Sequence, residues 1–439
     1  MINRTNELAI LNEEYKKDGL VFSVIYGEYG VGKTTLLSKF MENKPHVYFS
    51  VTLGRLELQY LFLAKQVLKL FSKEELYTVE LETFEKILEF LRDNIQGEKL
   101  VFVIDGVQNL YKLNKNFSSE FAKHLDNELR NTNIHLVISG SESIMYSEII
   151  NQMSPLFGRN STSINLTPLP FESIKELYPT MNKEEQMRIF SIFGTKPLYL
   201  SFYNGNLDYV DNLEQIVLDK HSYLYIKPQL LLATEVGEEN SMYFAILDAI
   251  AQGNTKVGKI AKKVGVEASM LPKYFQKLIK HDILYKELPI LTYNVKKSRY
   301  GRYKIKDRYL LFWFTYIYRN FGYLELAKTK EILDEIINTF DEKIVLLAFK
   351  DYIKEAILLD PEKYIGFKPS KIGKQWTNQI EIDLVAFNDT DIAYIECRWD
   401  LEESHVKVTT KLGEKAKRIN AGKRVKHYFV FTRTNYLKG

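Results

Sequence analysis

Apolar and polar positions along this chain alternate with two different periods, and the period changes with position. Over roughly the first 180 residues, short β-branched runs are separated by stretches with helical spacing, the pattern of an α/β sheet. The predicted strands are Val21–Tyr26, Val47–Val51, Leu100–Asp105, Ile134–Ser139 and Ser163–Leu166. Amphipathic stretches between them, such as Phe84–Arg92 and Phe121–Arg130, predict helices. From Asn182 to Val236 the spacing is helical, with no clear strand. From Ser241 to Pro289 it predicts three helices and then a short strand. Beyond Lys330 a helical segment to Leu359 precedes strands at Ile380–Phe387, Ile392–Cys397 and His427–Thr432. No repeat or low-complexity tract interrupts the pattern.

Length and composition narrow the picture. A chain of 439 residues exceeds one ordinary core and predicts two to four domains. The apolar fraction of 45% excludes a wholly disordered chain. The single cysteine, Cys397, allows no internal disulfide, and no Cys/His cluster has zinc spacing. These features fit a reducing, cytoplasmic setting. The first residues, MINRTNELAILNEEYKKDG, are charged throughout and do not read as a signal peptide. The most apolar run, Tyr309–Tyr318, is shorter than the roughly 18 residues a membrane helix needs and predicts a core helix. No membrane partner is expected.

The net charge of +4 is nearly balanced, so its distribution matters more. Lys296–Arg308 and Lys407–Lys426 are strongly basic, whereas Lys73–Glu98 leans acidic.

The stretch GEYGVGKT, Gly27–Thr34, matches G-x-x-x-x-G-K-[ST] and lies between an apolar strand and a helix opening TTLLSKF. Gly27, Gly30 and Gly32 let backbone N–H groups curl around phosphate oxygens, and Lys33, Thr34 and Thr35 open the helix whose N-terminus faces them. Lys33 then reaches the β- and γ-phosphates, and Thr34 binds Mg²⁺. VFVIDG ends a strand on Asp105, the expected second magnesium contact. A guanine reader is missing, because Asn114-Lys115-Asn116-Phe117 lacks the aspartate, so ATP with Mg²⁺ is the expected cofactor. Gly106 stands where many ATPases carry a water-orienting glutamate. Glu28 and Glu142 are candidate substitutes, and slow hydrolysis is expected.

INRTNEL, YGEYGVGKTTLL, VFVIDGVQ, HLVISGSES, PLFGR and FGTKPLYL together resemble the archaeal-type ATPase family, a branch of the P-loop ATPases related to the AAA+ and signal-transduction (STAND) groups. The tail, YKIKDRYLLFWF, NQIEIDLVAF and IAYIECRW, resembles a domain often fused to it, with a restriction-endonuclease-like PD-(D/E)xK fold. The resemblance implies a polar sensor at Ser139 and an arginine, Arg159, that contacts the γ-phosphate in cis or in a neighbouring subunit. It also implies a lid-placing turn at Gly194–Pro197, in which Thr195 replaces a glycine. The expected α/β architecture is a P-loop NTPase core (1–180) with a helical lid (181–238). A winged helix (239–310) follows, then a linker helix and nuclease-like domain (311–439).

The winged helix offers Lys273, Lys277 and Lys280 on its third helix and basic residues from Lys296 to Arg302 at its wing, a pattern suited to DNA phosphates. In the tail, Asp383 and Glu396 fall on successive strands as candidate metal carboxylates, with Arg398 in the place of the usual lysine. Arginine keeps the charge but cannot give up a proton. Lys350 follows Phe349 where an acid is often found, with Glu355 a turn beyond. Metal-dependent cleavage is therefore not the favoured expectation. Lys407, Lys411, Lys415, Lys417, Arg418, Lys423, Arg424 and Lys426 extend the candidate DNA surface.

The leading expectation is an ATP-binding, DNA-associated switch with weak or no hydrolysis. The alternatives are an active ATPase with metal-dependent nuclease activity, and a STAND-like switch that acts through a protein partner or a homo-oligomer.

Overall fold

A computed structural model describes residues 4–73, 81–95, 97–149, 151–236, 241–291, 300–399, 404–420 and 422–438. The chain divides into two compact units. One holds the chain up to Ser173 together with Lys196–Leu198. The other holds Ile174–Thr195 and everything from Tyr199 onward.

The first unit is built on five strands: β1 (Val21–Gly27), β2 (His46–Ser50), β3 (Leu100–Asp105), β4 (Ile134–Gly140) and β5 (Thr162–Leu166). Their order is β2-β3-β4-β1-β5, and every pairing is parallel. β1 and β4 are buried along their whole length, which is why they read as unbroken apolar runs. Alternation divides β3 between two cores. Phe102 and Ile104 join Phe22, Val24, Leu136 and Ile138 on one face. Val101 and Val103 join Ile25, Val137, Leu36 and Leu37 on the other. This is the P-loop NTPase fold. Its carboxyl ends set Gly27, Asp105 and Ser139 along one edge, where open α/β sheets bind ligands.

The second unit opens with helices. Helix Lys183–Phe193 starts on a reciprocal cap between Asn182 and Glu185. Helices Ser241–Ala251, Val257–Val264 and Leu271–Lys280 precede an antiparallel pair, β6 (Leu284–Glu287) and β7 (Arg302–Ile305). The three helices and the first strand fall where the spacing from Ser241 to Pro289 predicts them. The wing residues Lys296–Arg299 lie outside the described residues. The apolar run from Tyr309 is a core element: Tyr309, Phe312, Trp313, Phe314 and Tyr316 are buried. Its polar tips are satisfied, Trp313 Nε1 donating to Tyr225 O at 2.8 Å and Tyr309 OH to Leu224 O at 2.8 Å. Among the described residues no helix is long and apolar enough to cross a membrane.

The helical segment expected from Lys330 to Leu359 is interrupted. Thr329–Phe340 and Leu346–Leu359 are joined by a wider, π-type turn at Asp341–Val345. A mixed sheet closes the unit: β8 (Lys371–Trp376), β9 (Glu381–Phe387), β10 (Asp391–Arg398) and β11 (Val425–Thr432). β8, β9 and β10 run antiparallel in sequence, and β11 pairs parallel to β10 after helix His405–Lys417. β8 was not expected from the sequence. Lys371, Gly373 and Lys374 weaken its alternation, and a bulge lies between Gly373 and Gln375.

Candidate functional site

The phosphate loop leaves the buried end of β1 and enters helix Lys33–Met41 with no side-chain cap at Gly32. The first-turn N–H groups are thereby left for a ligand. Gly30 has no room for a side chain, since a Cβ there would stand 2.9 Å from Leu198. Gly27 is pressed against the Leu166 carbonyl, and Thr35 is exposed in the first helical turn.

Lys33 folds back over its own loop. Its Nζ donates to Gly27 O at 2.9 Å and to Glu28 O at 2.8 Å. Burial pulls its pKa below the usual lysine value; Asp105 and Glu28 oppose that shift and Lys196 adds to it. Thr34 Oγ1 donates to Asp105 Oδ2 at 2.8 Å, and Tyr48 OH donates to the same oxygen at 2.7 Å. Burial and then the Asp105 carboxylate push the Tyr48 phenol pKa upward, so it stays a donor. Ser139 lies beside Asp105 in the β3–β4 register. It is fully buried, and its Oγ finds no hydrogen-bond partner among the described residues.

The structure thus brings Lys33, Thr34, Asp105 and Ser139 to one edge. It does not bring Arg159 there. Arg159 pairs with Asp126 and donates from Nε to Pro155 O at 2.9 Å. It precedes β5, where Ser161 N bonds Phe22 O at the amino end of β1. From Phe22 to Gly27 the strand rises about 3.3 Å per residue, roughly 16 Å in all.

Gly106 proves to be a backbone requirement. It has φ +85° and caps helix Val107–Leu113, and its N–H donates to Ser139 O at 2.9 Å. Of the candidate substitute acids, Glu28 Oε2 is 2.8 Å from Lys196 Nζ, and Glu142 opens helix Glu142–Glu148. Tyr48 and Lys196 went unnoticed in the sequence. Tyr48 carried no signal beyond its place in a strand, whereas Lys196 lies inside the Gly194–Pro197 motif.

In the second unit, Asp383 on β9 and Glu396 on β10 each directly adjoin the last paired residues of the two strands, Leu384 and Ile395. Cations occupy both. Lys350 Nζ is 2.6 Å from Asp383 Oδ1, the side chains being 14% and 7% exposed, and Cys397 N donates to Asp383 Oδ2 at 3.0 Å. Glu396 Oε1 accepts from Arg398 Nη2 at 2.9 Å and Lys415 Nζ at 3.0 Å. No group of three or more His, Cys, Asp or Glu side chains among the described residues is placed to hold a metal. Lys350 stands beside Asp383, and Arg398 and Lys415 stand beside Glu396, whose Oε2 is buried with no hydrogen-bond partner among the described residues.

On helix Leu271–Lys280, Lys273, Lys277 and Lys280 are all exposed. Lys277 is tied down, its Nζ donating to Val236 O at 2.8 Å. In the tail, Lys417, Arg418, Lys423 and Lys426 are exposed, while Lys415 is held by Glu396 and Arg424 donates to Asn388 O at 2.6 Å.

Residues 1–202 match the family described as an ATPase domain predominantly from Archaea. Residues 313–409 match a family described as archaeal and bacterial proteins of unknown function. The uncharacterized protein MJECL04 of Methanocaldococcus jannaschii is 32% identical over 439 residues, covering 98% of this chain and 94% of that protein. The chain belongs to the archaeal ATPase family. Among solved structures, the Walker-type ATPase PABY2304 of Pyrococcus abyssi superposes with a TM-score of 0.54 at 18% identity, over 72% of this chain and 96% of that one. That likeness shows a fold shared with another archaeal ATPase.

Proposed function

We propose that this archaeal ATPase binds ATP with Mg²⁺ at the β1–β3–β4 edge, hydrolyses it slowly, and acts as a nucleotide-gated, DNA-associated switch. The observation that carries the reading is the Thr34–Asp105 contact at 2.8 Å beside a Lys33 held on loop carbonyls. Hydroxyl and carboxylate are already adjacent, as a shared magnesium contact requires, and Lys33 has a short path from carbonyl oxygens to phosphate oxygens. The uncapped helix and loop N–H groups suit a polyphosphate, and the unpartnered Ser139 hydroxyl suits a polar group at that edge. Mg²⁺ bound there would neutralise developing phosphate charge; Lys33, Thr34 and Asp105 would orient it and the nucleotide.

Slow turnover follows from Gly106, which has no carboxylate to orient water. Exposed Lys273 and Lys280, with the exposed cations of the tail, support association with a DNA backbone. The cation-filled Asp383–Glu396 pair supports a tail that does not cut it.

Single-turnover ATP hydrolysis, with and without duplex DNA, tests the reading. Wild-type protein is expected to bind ATP and turn it over well below about 1 s⁻¹, the lower end of ordinary enzymes. Lys33→Ala is expected to lose binding, and Asp105→Asn to lose the magnesium dependence of binding. Brisk wild-type turnover would overturn the switch.

A further inference from the structure

Lys196–Leu198 returns from the second part of the chain to pack in the first unit, directly on the phosphate loop. Leu198 N donates to Gly30 O at 3.2 Å. Leu198 fills the space over Gly30, and the Pro197 ring lies 3.7 Å from where a Cβ on Gly32 would be. This seating puts Lys196 Nζ 2.8 Å from Glu28 Oε2, with the two side chains 13% and 11% exposed. Lys33 feels both charges as well as Asp105. Lys33, Lys196, Glu28 and Asp105 therefore act on one another at the rim of the loop.

A polyphosphate entering the loop changes those pairings. Lys33 leaves the carbonyls of Gly27 and Glu28 for phosphate oxygens. New negative charge beside Glu28 disfavours its carboxylate and offers Lys196 a second anionic partner. Both side chains are largely out of water, so neither charge is left alone cheaply, and the exchange of partners is coupled to ligand entry.

We infer that the Glu28–Lys196 pair is a phosphate-reading latch, in which Lys196 exchanges Glu28 for the terminal phosphate of a nucleoside triphosphate. This rests on the proposed ATP site and deepens it. Lys196 distinguishes triphosphate from diphosphate.

The test is equilibrium binding of MgATP and MgADP by titration calorimetry to the full chain and to Lys196→Met, Lys196→Arg and Glu28→Gln. Losing one charge-assisted contact to phosphate predicts that Lys196→Met weakens MgATP by about tenfold to a hundredfold. MgADP is expected to change by less than about threefold. Lys196→Arg retains most of the preference. Glu28→Gln, which removes the carboxylate charge facing Lys196 without removing Lys196, tightens MgATP selectively. Equal weakening of both nucleotides, or an unchanged ratio in both Lys196→Met and Glu28→Gln, overturns the latch while leaving the ATP site standing. No nucleotide binding by wild type, or binding unaffected by Lys33→Ala, overturns the ATP site and the latch with it.

Discussion

A Cβ on Gly106 would stand 3.0 Å from the carbonyl oxygen of Val51, an oxygen that already accepts from Asn109 Nδ2 at 2.8 Å. With φ at +85°, the position sits in the left-handed region and against backbone. The missing glutamate is therefore no simple deletion that a substitution can repair. Gly106→Ala and Gly106→Glu are both expected to lose stability, by roughly 1–3 kcal/mol. Gly106→Glu is not expected to gain ATP hydrolysis. Urea unfolding and single-turnover rates measured on the same preparations check this. A stable Gly106→Glu protein with raised turnover would show that the backbone at Gly106 gives way easily.

His135 makes the first unit sensitive to acid. It lies fully buried between β1 and the Tyr15 and Phe40 rings, with Nε2 2.8 Å from Ser23 Oγ. Burial lowers its pKa from 6.5 to about 4; Lys99, Lys44 and Lys17 add to the shift and Glu14 opposes it. The folded value lies below the unfolded one, so as pH falls the unfolded chain takes up the proton first. The contribution is intact above about pH 6.5 and drains towards pH 4, by roughly 3 kcal/mol in total. His135→Gln is expected to remove that part of the acid loss. Unfolding free energies of wild type and variant, compared from pH 7 to pH 4, should converge as the pH drops. Parallel curves would mean that His135 does not titrate across the window.

The Lys350–Asp383 pair predicts a strong stability effect in the second unit. Both partners are nearly out of water at 2.6 Å. Lys350→Met leaves Asp383, among the described residues, with the Cys397 N–H at 3.0 Å, and breaking one side of such a pair costs about 3–5 kcal/mol. Adding Asp383→Asn removes the stranded charge and is expected to recover most of that loss. Denaturant unfolding of the full chain, read as a double-mutant cycle, measures the coupling. A loss below about 1 kcal/mol would place the pair among exposed, water-screened bridges.

How far these sites were legible depended on how local their chemistry is. Gly27–Thr34 carries its geometry in one contiguous stretch, and Asp105 is marked by the apolar run before it, so the sequence sufficed to pair Lys33, Thr34 and Asp105. Tyr48 reaches Asp105 only because β2 pairs with β3 in one register, and register is not written in either strand alone. Lys196 reaches Glu28 only after the chain has built helix Lys183–Phe193 and come back. Lys350 could be seen to replace an acid, but its contact with Asp383 depends on helix Leu346–Leu359 packing by β9 and β10. β8 escaped notice because Gly373 and two lysines mask a strand whose stability comes from pairing with β9.

The three lysines of helix Leu271–Lys280 look alike in sequence and are all exposed, but they differ in one contact, which gives the DNA reading a sharp test. Lys277 Nζ donates to the Val236 carbonyl at 2.8 Å. Each lysine that neutralises a phosphate releases counterions and steepens the dependence of log K on log salt by about 0.9. Lys273→Ala with Lys280→Ala is expected to reduce that slope by about 2 and to weaken binding similarly across duplex sequences. Lys277→Ala is expected to leave the slope alone and lower the thermal midpoint instead. Fluorescence anisotropy with two unrelated duplexes over a range of salt concentrations reads both. If the double variant keeps the wild-type slope, the helix faces something other than DNA, and the exposed tail cations Lys417, Arg418, Lys423 and Lys426 become the surface to alter next.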